Sequence, residues 1–166
     1  VAQLEELPEF IRRKKVNYEI YKKEFSGFDL ARLLPFRDGV ESNKWFYSLE
    51  INREKVKAPL REIITALEKK GVGTRAIWGL INEQRPYLNE VTYRLEKAPY
   101  YASRILNIPC STNLSEEEIY IASKIIKQVF TDFAKGVLRK LEIPMDFPPL
   151  CCIISPIFII SLLTPL

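Results

Sequence analysis

The stretch "WFYSLEI" at residues 45–51 decides the fold class, because its side chains fall into two alternating sets. Alternation of this kind is typical of a strand that buries one of its two faces. The first set comprises Trp45, Tyr47, Leu49 and Ile51, and the second comprises Phe46, Ser48 and Glu50. We predict a strand over 45–51 whose first set, including Trp45 and Tyr47, lies in the core.

The residues before this strand predict a long amphipathic helix over 3–25. Its apolar residues recur at spacings of 3, 4 or 7, which places them on one helical face. They are Leu4, Leu7, Ile11, Tyr18, Tyr21 and Phe25. Pro8 has no backbone N–H and is expected to bend the helix near its start. Ser26 and Gly27 then predict a turn.

The residues after the strand predict a helix over 59–70 that ends at Gly71. Apolar residues form one face of this segment, basic residues occupy its last turn, and Gly71 stands where a left-handed cap is expected. Residues 72–77 predict a second strand.

Two more helices are predicted downstream. Residues 99–106 predict a helix followed by a short extended piece into Pro109, and Ser115 with Glu118 has the spacing of a capping box for a helix over 116–130. The order of elements predicts an α/β (α+β) fold, in which a short sheet has helices packed on one side. The sequence leaves strand order and direction open.

The composition excludes several classes of function. The chain has no histidine, which removes Ser/His/Asp and Cys/His nucleophile systems and histidine-containing metal sites. Its three cysteines form neither a CxxC pair nor an even disulfide framework, so we expect no metal site and a reducing, cytoplasmic compartment. Lys and Arg number 25 against 21 Asp and Glu, with mixed signs along the first helix, so we expect no nucleic-acid partner.

The end of the chain has a different character from the rest. Residues 147–166 carry no charge and approach the length of a membrane span. The prolines Pro148, Pro149, Pro156 and Pro165 would interrupt or end a helix there. We interpret 131–166 as an atypical apolar tail that is foreign to the preceding domain, and keep a membrane segment over 147–166 as the alternative.

The stretch "TRAIWGLINEQRPY" at residues 74–87 is rich in large polar and aromatic side chains but has no apolar period. A core helix or strand would repeat its apolar residues every 3.6 or 2 positions. We therefore expect this stretch to serve binding and not packing.

Five blocks of the chain form one ordered pattern. They are the helix start at 2–5, "SNKWFYSLEI" at 42–51, "LREIITALEKKGVGTR" at 60–75, "IWGLINEQRPY" at 77–87 and "KAPYYASRILNIPCSTNLSEEEI" at 97–119. Together they resemble the C-terminal small domain of DegT/DnrJ/StrS-type sugar aminotransferases over about residues 2–130. The most similar branch acts in legionaminic-acid and related nonulosonate pathways.

The resemblance implies a dimeric, pyridoxal 5'-phosphate-dependent enzyme of fold type I. Such enzymes move an amino group from glutamate, through the cofactor, to the keto carbon of a UDP-linked 4-keto-6-deoxy sugar. In the family, a lysine holds the cofactor as a Schiff base and an acidic residue pairs with the pyridine nitrogen, both in a large domain. That domain would precede Val1, because the chain starts at what already looks like a helix. No lysine of this chain lies in the cofactor motif. The chain is thus expected to be a C-terminal fragment that is inactive alone.

The resemblance also divides the chain and implies a substrate site. Residues 1–25 would connect to the large domain, 26–130 would form the small domain, and 131–166 would be the tail. The segment equivalent to 74–87 reaches the substrate cleft in the family, and a small domain lays an apolar face on its large domain and dimer mate. The implied substrate-binding residues are Arg75, Trp78, Asn82, Gln84 and Tyr87.

The side chains named suit a nucleotide sugar. Arg75 can form bidentate bonds with an anionic oxygen, Trp78 offers a stacking face, and Asn82 and Gln84 can bond sugar hydroxyls or an acetamido group. Relatives often carry "PLH" where this chain has "LIN" at 80–82, and the missing histidine favours the nonulosonate branch.

Structural roles remain open for several of these residues. Trp78 and Tyr87 could cover a sheet edge, and Arg75 could pair with Glu83. Ser42 and Asn43 could contact a ligand or form a turn, while 111–113 fits a polar loop before the last helix. The rival function is a stand-alone interaction domain tethered to a membrane by 147–166.

Overall fold

The fold is taken from a computed structural model that describes residues 2–137 of the 166. The predicted apolar tail over 147–166, its prolines and its possible membrane segment lie outside the described residues. Within them, no helix has the length and apolar character needed to cross a membrane.

The first helical stretch consists of α1 (Ala2–Glu5) and α2 (Leu7–Glu24), separated at Glu6. The break falls next to Pro8, which confirms the predicted early bend. The predicted apolar face is buried only in part, since Tyr18, Tyr21 and Phe25 are buried but Leu4 is 71% exposed. Burial along α2 begins at Asn17, so the described residues leave the apolar side chains of the first turns largely uncovered.

Four short strands form one antiparallel sheet. They are β1 (Ala31–Leu33), β2 (Tyr47–Ile51), β3 (Arg75–Ala76) and β4 (Ile105–Ile108), in the spatial order β1-β2-β4-β3. Every neighbouring pair is antiparallel. The predicted α/β (α+β) fold with a short sheet is confirmed, and strand order, which the sequence left open, is now defined.

Two predicted element boundaries were wrong. The second predicted strand, 72–77, is reduced to Arg75–Ala76. The helix predicted over 99–106 ends early, because α4 spans Lys97–Ala102 and the following residues form β4. Leu106 is fully buried there, since its apolar side chain pairs across the sheet with Leu49.

Trp45 also departs from its prediction. The strand begins only at Tyr47, so the alternation does not extend to Trp45, whose residue is 64% exposed. Its ring instead stacks on Phe46, with ring centroids 4.6 Å apart. Tyr47 is fully buried as predicted.

One face of the sheet carries the hydrophobic core, covered by α2, α3 (Leu60–Lys69) and α5 (Glu116–Ala134). The largest fully buried side chains come from all of these elements. They are Tyr21, Tyr47, Phe130, Leu49, Ile51, Ile63, Leu67, Leu106, Ile119 and Ile126, with Val56 and Val129 beside them. Burial of this apolar surface is the main favourable contribution to folding.

The end of α3 has the predicted glycine cap. Gly71 has a φ of +81°, a left-handed conformation that costs glycine little because it has no Cβ. Its N–H donates to the Glu68 carbonyl at 2.9 Å, and the Val72 N–H donates to the Leu67 carbonyl at 2.9 Å. These two bonds form a Schellman motif, which ends the helix and satisfies two of its last carbonyls.

The predicted capping box starts α5. Ser115 Oγ accepts from the Glu118 N–H at 3.2 Å, and Glu118 Oε2 accepts from the Ser115 N–H at 2.8 Å. Each side chain thereby satisfies a backbone donor that the helix cannot.

Ser115→Ala is expected to lower the free energy of unfolding by about 1 kcal/mol, because it removes the cap acceptor. Urea denaturation followed by far-UV circular dichroism measures the loss. Ser111→Ala is the matched control, since Ser111 Oγ accepts a longer 3.3 Å bond from Asn113 in a loop. Equal losses in the two variants would contradict a stabilising role for the cap.

Candidate substrate-binding site

Residues 77–96, which we call the arm, connect β3 to α4. The arm contains two short 3-10 helices, Ile81–Glu83 and Arg85–Tyr87. Its described backbone hydrogen bonds are local, such as the 3.0 Å bond from the Gln84 N–H to the Ile81 carbonyl. The arm backbone is therefore shaped by successive turns and not by pairing with the sheet.

Large apolar side chains of the arm face solvent, and Val91 is 97% exposed. The exposed set comprises Trp78, Ile81, Tyr87, Leu88, Val91, Tyr93 and Leu95. A surface that exposes so many apolar groups together is characteristic of contact with another protein surface or a ligand. The sequence-based expectation of an uncovered apolar face is consistent with this arrangement.

The five predicted substrate-binding residues lie along β3 and the first half of the arm. Arg75 is in β3, Asn82 and Tyr87 are in the two 3-10 helices, and Gln84 lies between them. Asn82 is half-buried, and the side chains of the other four, including Trp78, are exposed.

The structure does not gather these five side chains into one hollow. No side-chain hydrogen bond, aromatic contact or ion pair among residues 2–137 joins any two of them, although the Tyr87 N–H donates to the Gln84 carbonyl at 2.8 Å. The suggested Arg75–Glu83 pair is not formed. Two described surface hollows, one between α2 and α5 and one between α3 and the end of α5, are lined by other residues.

Trp78 makes the one described aromatic contact among the five. Its ring meets Phe46 edge-to-face, with centroids 5.5 Å apart, and Phe46 stacks on Trp45. Edge-to-face and offset stacked pairs are the favoured aromatic geometries. This contact ties the start of the arm to the residues just before β2, while Trp78 remains 64% exposed.

The face of the sheet away from the core, which we call the outer face, carries several polar side chains, together with the buried Ile105 that pairs with Glu50. In antiparallel sheets, directly paired residues project to the same face. Ser48 pairs with Asn107, and Asn107 pairs with Arg75. Their neighbours Leu49 and Leu106 belong to the core, so Ser48, Asn107 and Arg75 project to the outer face as one cross-strand row.

A second pairing on the outer face fixes a carboxylate. Glu50 pairs with Arg32 across β1 and β2, and its side chain is only 10% exposed. Arg32 Nη2 lies 2.6 Å and Nε 2.8 Å from Glu50 Oε2, while Tyr100 Oη donates to Oε1 at 3.2 Å. The bond to the carboxylate raises the pKa of the Arg32 guanidinium. Both Glu50 oxygens are therefore occupied.

The sequence analysis did not identify the outer face as part of a site. Alternation in 45–51 placed Ser48 and Glu50 on one side of a strand, which was a usable signal. Asn107 lies in the short extended piece that was predicted into Pro109, but the sequence did not say which strand it would pair with. Arg32 could not be added, because β1 was not predicted. Only strand pairing brings residues so distant in sequence into one row.

The polar residues before β2 have a turn role. Ser42 Oγ accepts from the Lys44 N–H and Asn43 Oδ1 accepts from the Trp45 N–H, both at 3.1 Å. Lys44 has a φ of +55°, and its ammonium lies 3.7 Å from the centroid of the Phe36 ring. Partial burial lowers the pKa of the Lys44 ammonium.

The described residues do not by themselves fit a pyridoxal 5'-phosphate site. That cofactor needs a lysine, a carboxylate and phosphate donors around one cavity. Lys44 instead packs on aromatic rings, and Lys15, in the hollow between α2 and α5, pairs with Glu41 at 3.2 Å on the surface. No cluster of three or more metal-ligating side chains was found in the described part of the chain.

Comparison with known proteins gives one family. The model of the DegT/DnrJ/EryC1/StrS aminotransferase family matches residues 1–127. The chain belongs to this family. Among curated proteins, none matches the chain.

Solved structures share the fold at low sequence identity. DesI, determined in the presence of its TDP-sugar product, superposes with a TM-score of 0.74 at 20% identity, over 81% of this chain and 34% of DesI. PseC of Helicobacter pylori, an aminotransferase involved in the biosynthesis of pseudoaminic acid, gives 0.73 at 19%, over 80% and 36%. The PLP-form of the putative sugar aminotransferase Spr1654 from Streptococcus pneumoniae gives 0.67 at 24%, over 83% and 34%. This chain spans about a third of the length of these structures.

Proposed function

We propose that this chain acts as the small domain of a pyridoxal 5'-phosphate-dependent aminotransferase. The enzyme transfers an amino group from glutamate to a UDP-linked 4-keto-6-deoxy sugar, in cytoplasmic nucleotide-sugar biosynthesis for surface polysaccharide. The observation that carries the proposal is the match of residues 1–127 to an aminotransferase family. The nonulosonate branch, including legionaminic acid, is favoured by the residues at 80–82, where relatives often carry a histidine.

Cofactor binding is assigned to polypeptide beyond the described residues. Spr1654 is known in a PLP-form, and this chain covers only 34% of it, so most of that polypeptide lies outside the matched part. In this proposal the 166 residues alone are inactive. The lysine that carries the cofactor, and its acidic partner, belong to a large domain that joins α1.

The role of the small domain is to contact substrate and partner surfaces. The exposed apolar side chains of the arm, such as Ile81 and Val91, would be covered by the large domain and the dimer mate. The polar residues Arg75, Asn82 and Gln84, with the aromatic Trp78 and Tyr87, would contact the nucleotide sugar. DesI offers a supporting parallel, since its structure contains a TDP-sugar product.

Transamination by a polypeptide in which these residues follow a cofactor-binding domain of the family tests the proposal. We expect 2-oxoglutarate to form from glutamate in excess over the enzyme only when a UDP-4-keto-6-deoxy sugar is present, with an amino sugar detected by mass spectrometry. The ketone is the amino acceptor, so the UDP sugar with a 4-hydroxyl group is the matched substrate control.

The 166-residue chain with added cofactor is the protein control. It should give no product, and borohydride treatment should trap the cofactor on no single lysine. Saturable trapping on one lysine of this chain would contradict the assignment of the cofactor site to other polypeptide. A correctly loaded enzyme that produces no amino sugar from any nucleotide-linked ketosugar would contradict the proposed activity.

A further inference from the structure

Three polar side chains from three strands lie in register on the outer face, and we call them the polar row. Ser48 of β2 pairs with Asn107 of β4, which pairs with Arg75 of β3. Directly opposite residues in an antiparallel sheet have Cβ atoms about 4.5–5.5 Å apart. The three side chains are therefore near neighbours, although they are far apart in the sequence.

Hydrogen bonding within the polar row fixes which atoms remain free. Ser48 Oγ donates to Asn107 Oδ1 at 2.7 Å, which occupies the amide oxygen and holds the amide in one orientation. The Asn107 Nδ2 group has no hydrogen-bond partner among residues 2–137. The exposed Arg75 guanidinium has no carboxylate within ion-pair distance in the same part of the chain. The Asn107 amide nitrogen and the Arg75 guanidinium thus present free donors side by side.

The neighbouring acidic group does not oppose an anion at this place. Glu50, two residues after Ser48 on β2, has one oxygen bonded by Arg32 and the other by Tyr100. Its charge is compensated by the Arg32 guanidinium at 2.6 Å. The outer face therefore offers an unpaired cation at Arg75, while the carboxylate of Glu50 is neutralised and lies on β2, separated from β3 by β4.

An aromatic surface borders the polar row. Trp78 follows Arg75 by three residues and contacts Phe46, which precedes Ser48 by two residues. Trp78 keeps most of its ring surface open to solvent. Flat rings such as a nucleobase stack on exposed indole faces, while phosphate oxygens accept from arginine and amide donors.

We propose that the polar row binds the diphosphate of a nucleoside diphosphate, with Arg75 and Asn107 donating to its oxygens and Trp78 next to its ring. This inference rests on the proposed function, because it places the nucleotide part of the sugar substrate on the outer face. It adds Asn107 as a contacting residue and Ser48 as a positioning residue. Neither residue follows from the arm sequence.

Titration of the 166-residue chain with inorganic pyrophosphate and with UDP tests the proposal. The amide resonances of residues 48, 75 and 107 are expected to shift in two-dimensional NMR at low ionic strength, where charge interactions are least screened. Arg75→Ala should weaken pyrophosphate binding about tenfold, since a charge-assisted bidentate contact is lost. Asn107→Asp should weaken it about as much by repulsion. Ser48→Ala should weaken it about threefold, because the amide is released but not removed.

Arg85→Ala is the matched control, since Arg85 lies in the arm and is also exposed. It should change the dissociation constant by less than about twofold. Arg75→Lys should retain charge but lose part of the affinity, because lysine lacks the planar fork. UDP should additionally shift the indole resonance of Trp78, which pyrophosphate alone should not.

Several results would overturn the proposal. They are equal losses in Arg75→Ala and Arg85→Ala, shifts that cluster away from the polar row, and the absence of shifts with both probes. None of these results bears on transamination, which is measured separately by product formation. If the aminotransferase is active but the resonances of the polar row do not change with either probe, the proposed function stands and only the proposed diphosphate site is contradicted.

Discussion

Arg75→Ala, in an enzyme that carries this domain, is expected to raise KM for the nucleotide sugar about tenfold to a hundredfold. KM for glutamate should change by less than about twofold, because glutamate lacks the diphosphate. Arg75 is exposed and has no ion-pair partner in the described part of the chain, so its loss should not affect folding. Steady-state kinetics with each substrate varied in turn measures the two constants.

Comparison of the change in KM for the sugar with the change in KM for glutamate shows whether Arg75 contacts the sugar nucleotide. A loss confined to KM for the sugar indicates binding energy used equally in the ground and transition states. Arg85→Ala, which removes the same charge from the arm, is the control and should leave both constants nearly unchanged. Equal increases for sugar and glutamate in Arg75→Ala would remove Arg75 from the sugar site.

Phe130→Ala is expected to lower the free energy of unfolding by about 3–5 kcal/mol. Phe130 is fully buried in α5 and its ring stacks on Phe28, with centroids 6.4 Å apart. Removing the ring leaves a cavity among groups from the sheet and helices. Since a domain of this kind is stabilised by only about 5–15 kcal/mol, the loss is a large part of the total. Urea denaturation followed by circular dichroism measures it.

Tyr120→Ala, on the same helix, is the matched control. Tyr120 is 43% exposed, so its removal leaves no closed cavity and should change the free energy of unfolding by about 0.5 kcal/mol or less. If both variants lost the same stability, α5 would not pack its Phe130 face into the core as described. A drop in stability for Tyr120→Ala alone would indicate that the opposite face of α5 is the buried one.

The apolar side chains of the arm and those of the core differ in whether other parts of the domain cover them. Core side chains such as Tyr47 and Leu106 lie between the sheet and the helices. Arm side chains such as Leu88 and Tyr93 have no such cover in residues 2–137. An uncovered apolar segment beside a polar sheet face is what a domain presents when it completes a larger site. The proposed aminotransferase gives both surfaces a partner.

The sequence by itself determined the elements whose signals are local. Alternation in 45–51 predicted β2, Gly71 predicted the end of α3, and Ser115 with Glu118 predicted the cap of α5. Each of these signals works between residues at most a few positions apart, so neighbouring letters suffice to read it. The ordered blocks of residues likewise pointed to the family that the match over 1–127 shows.

Only the tertiary structure decided what strand pairing brings together. The three-residue β1 and the two-residue β3 are too short to show the alternation of side chains that is typical of a strand. The helix predicted over 99–106 ran into the first two residues of β4. Trp45 lies outside the core because strand pairing starts only at Tyr47. The polar row exists because β4 lies between β2 and β3. Contacts between residues tens of positions apart depend on register, which chain-local patterns do not encode.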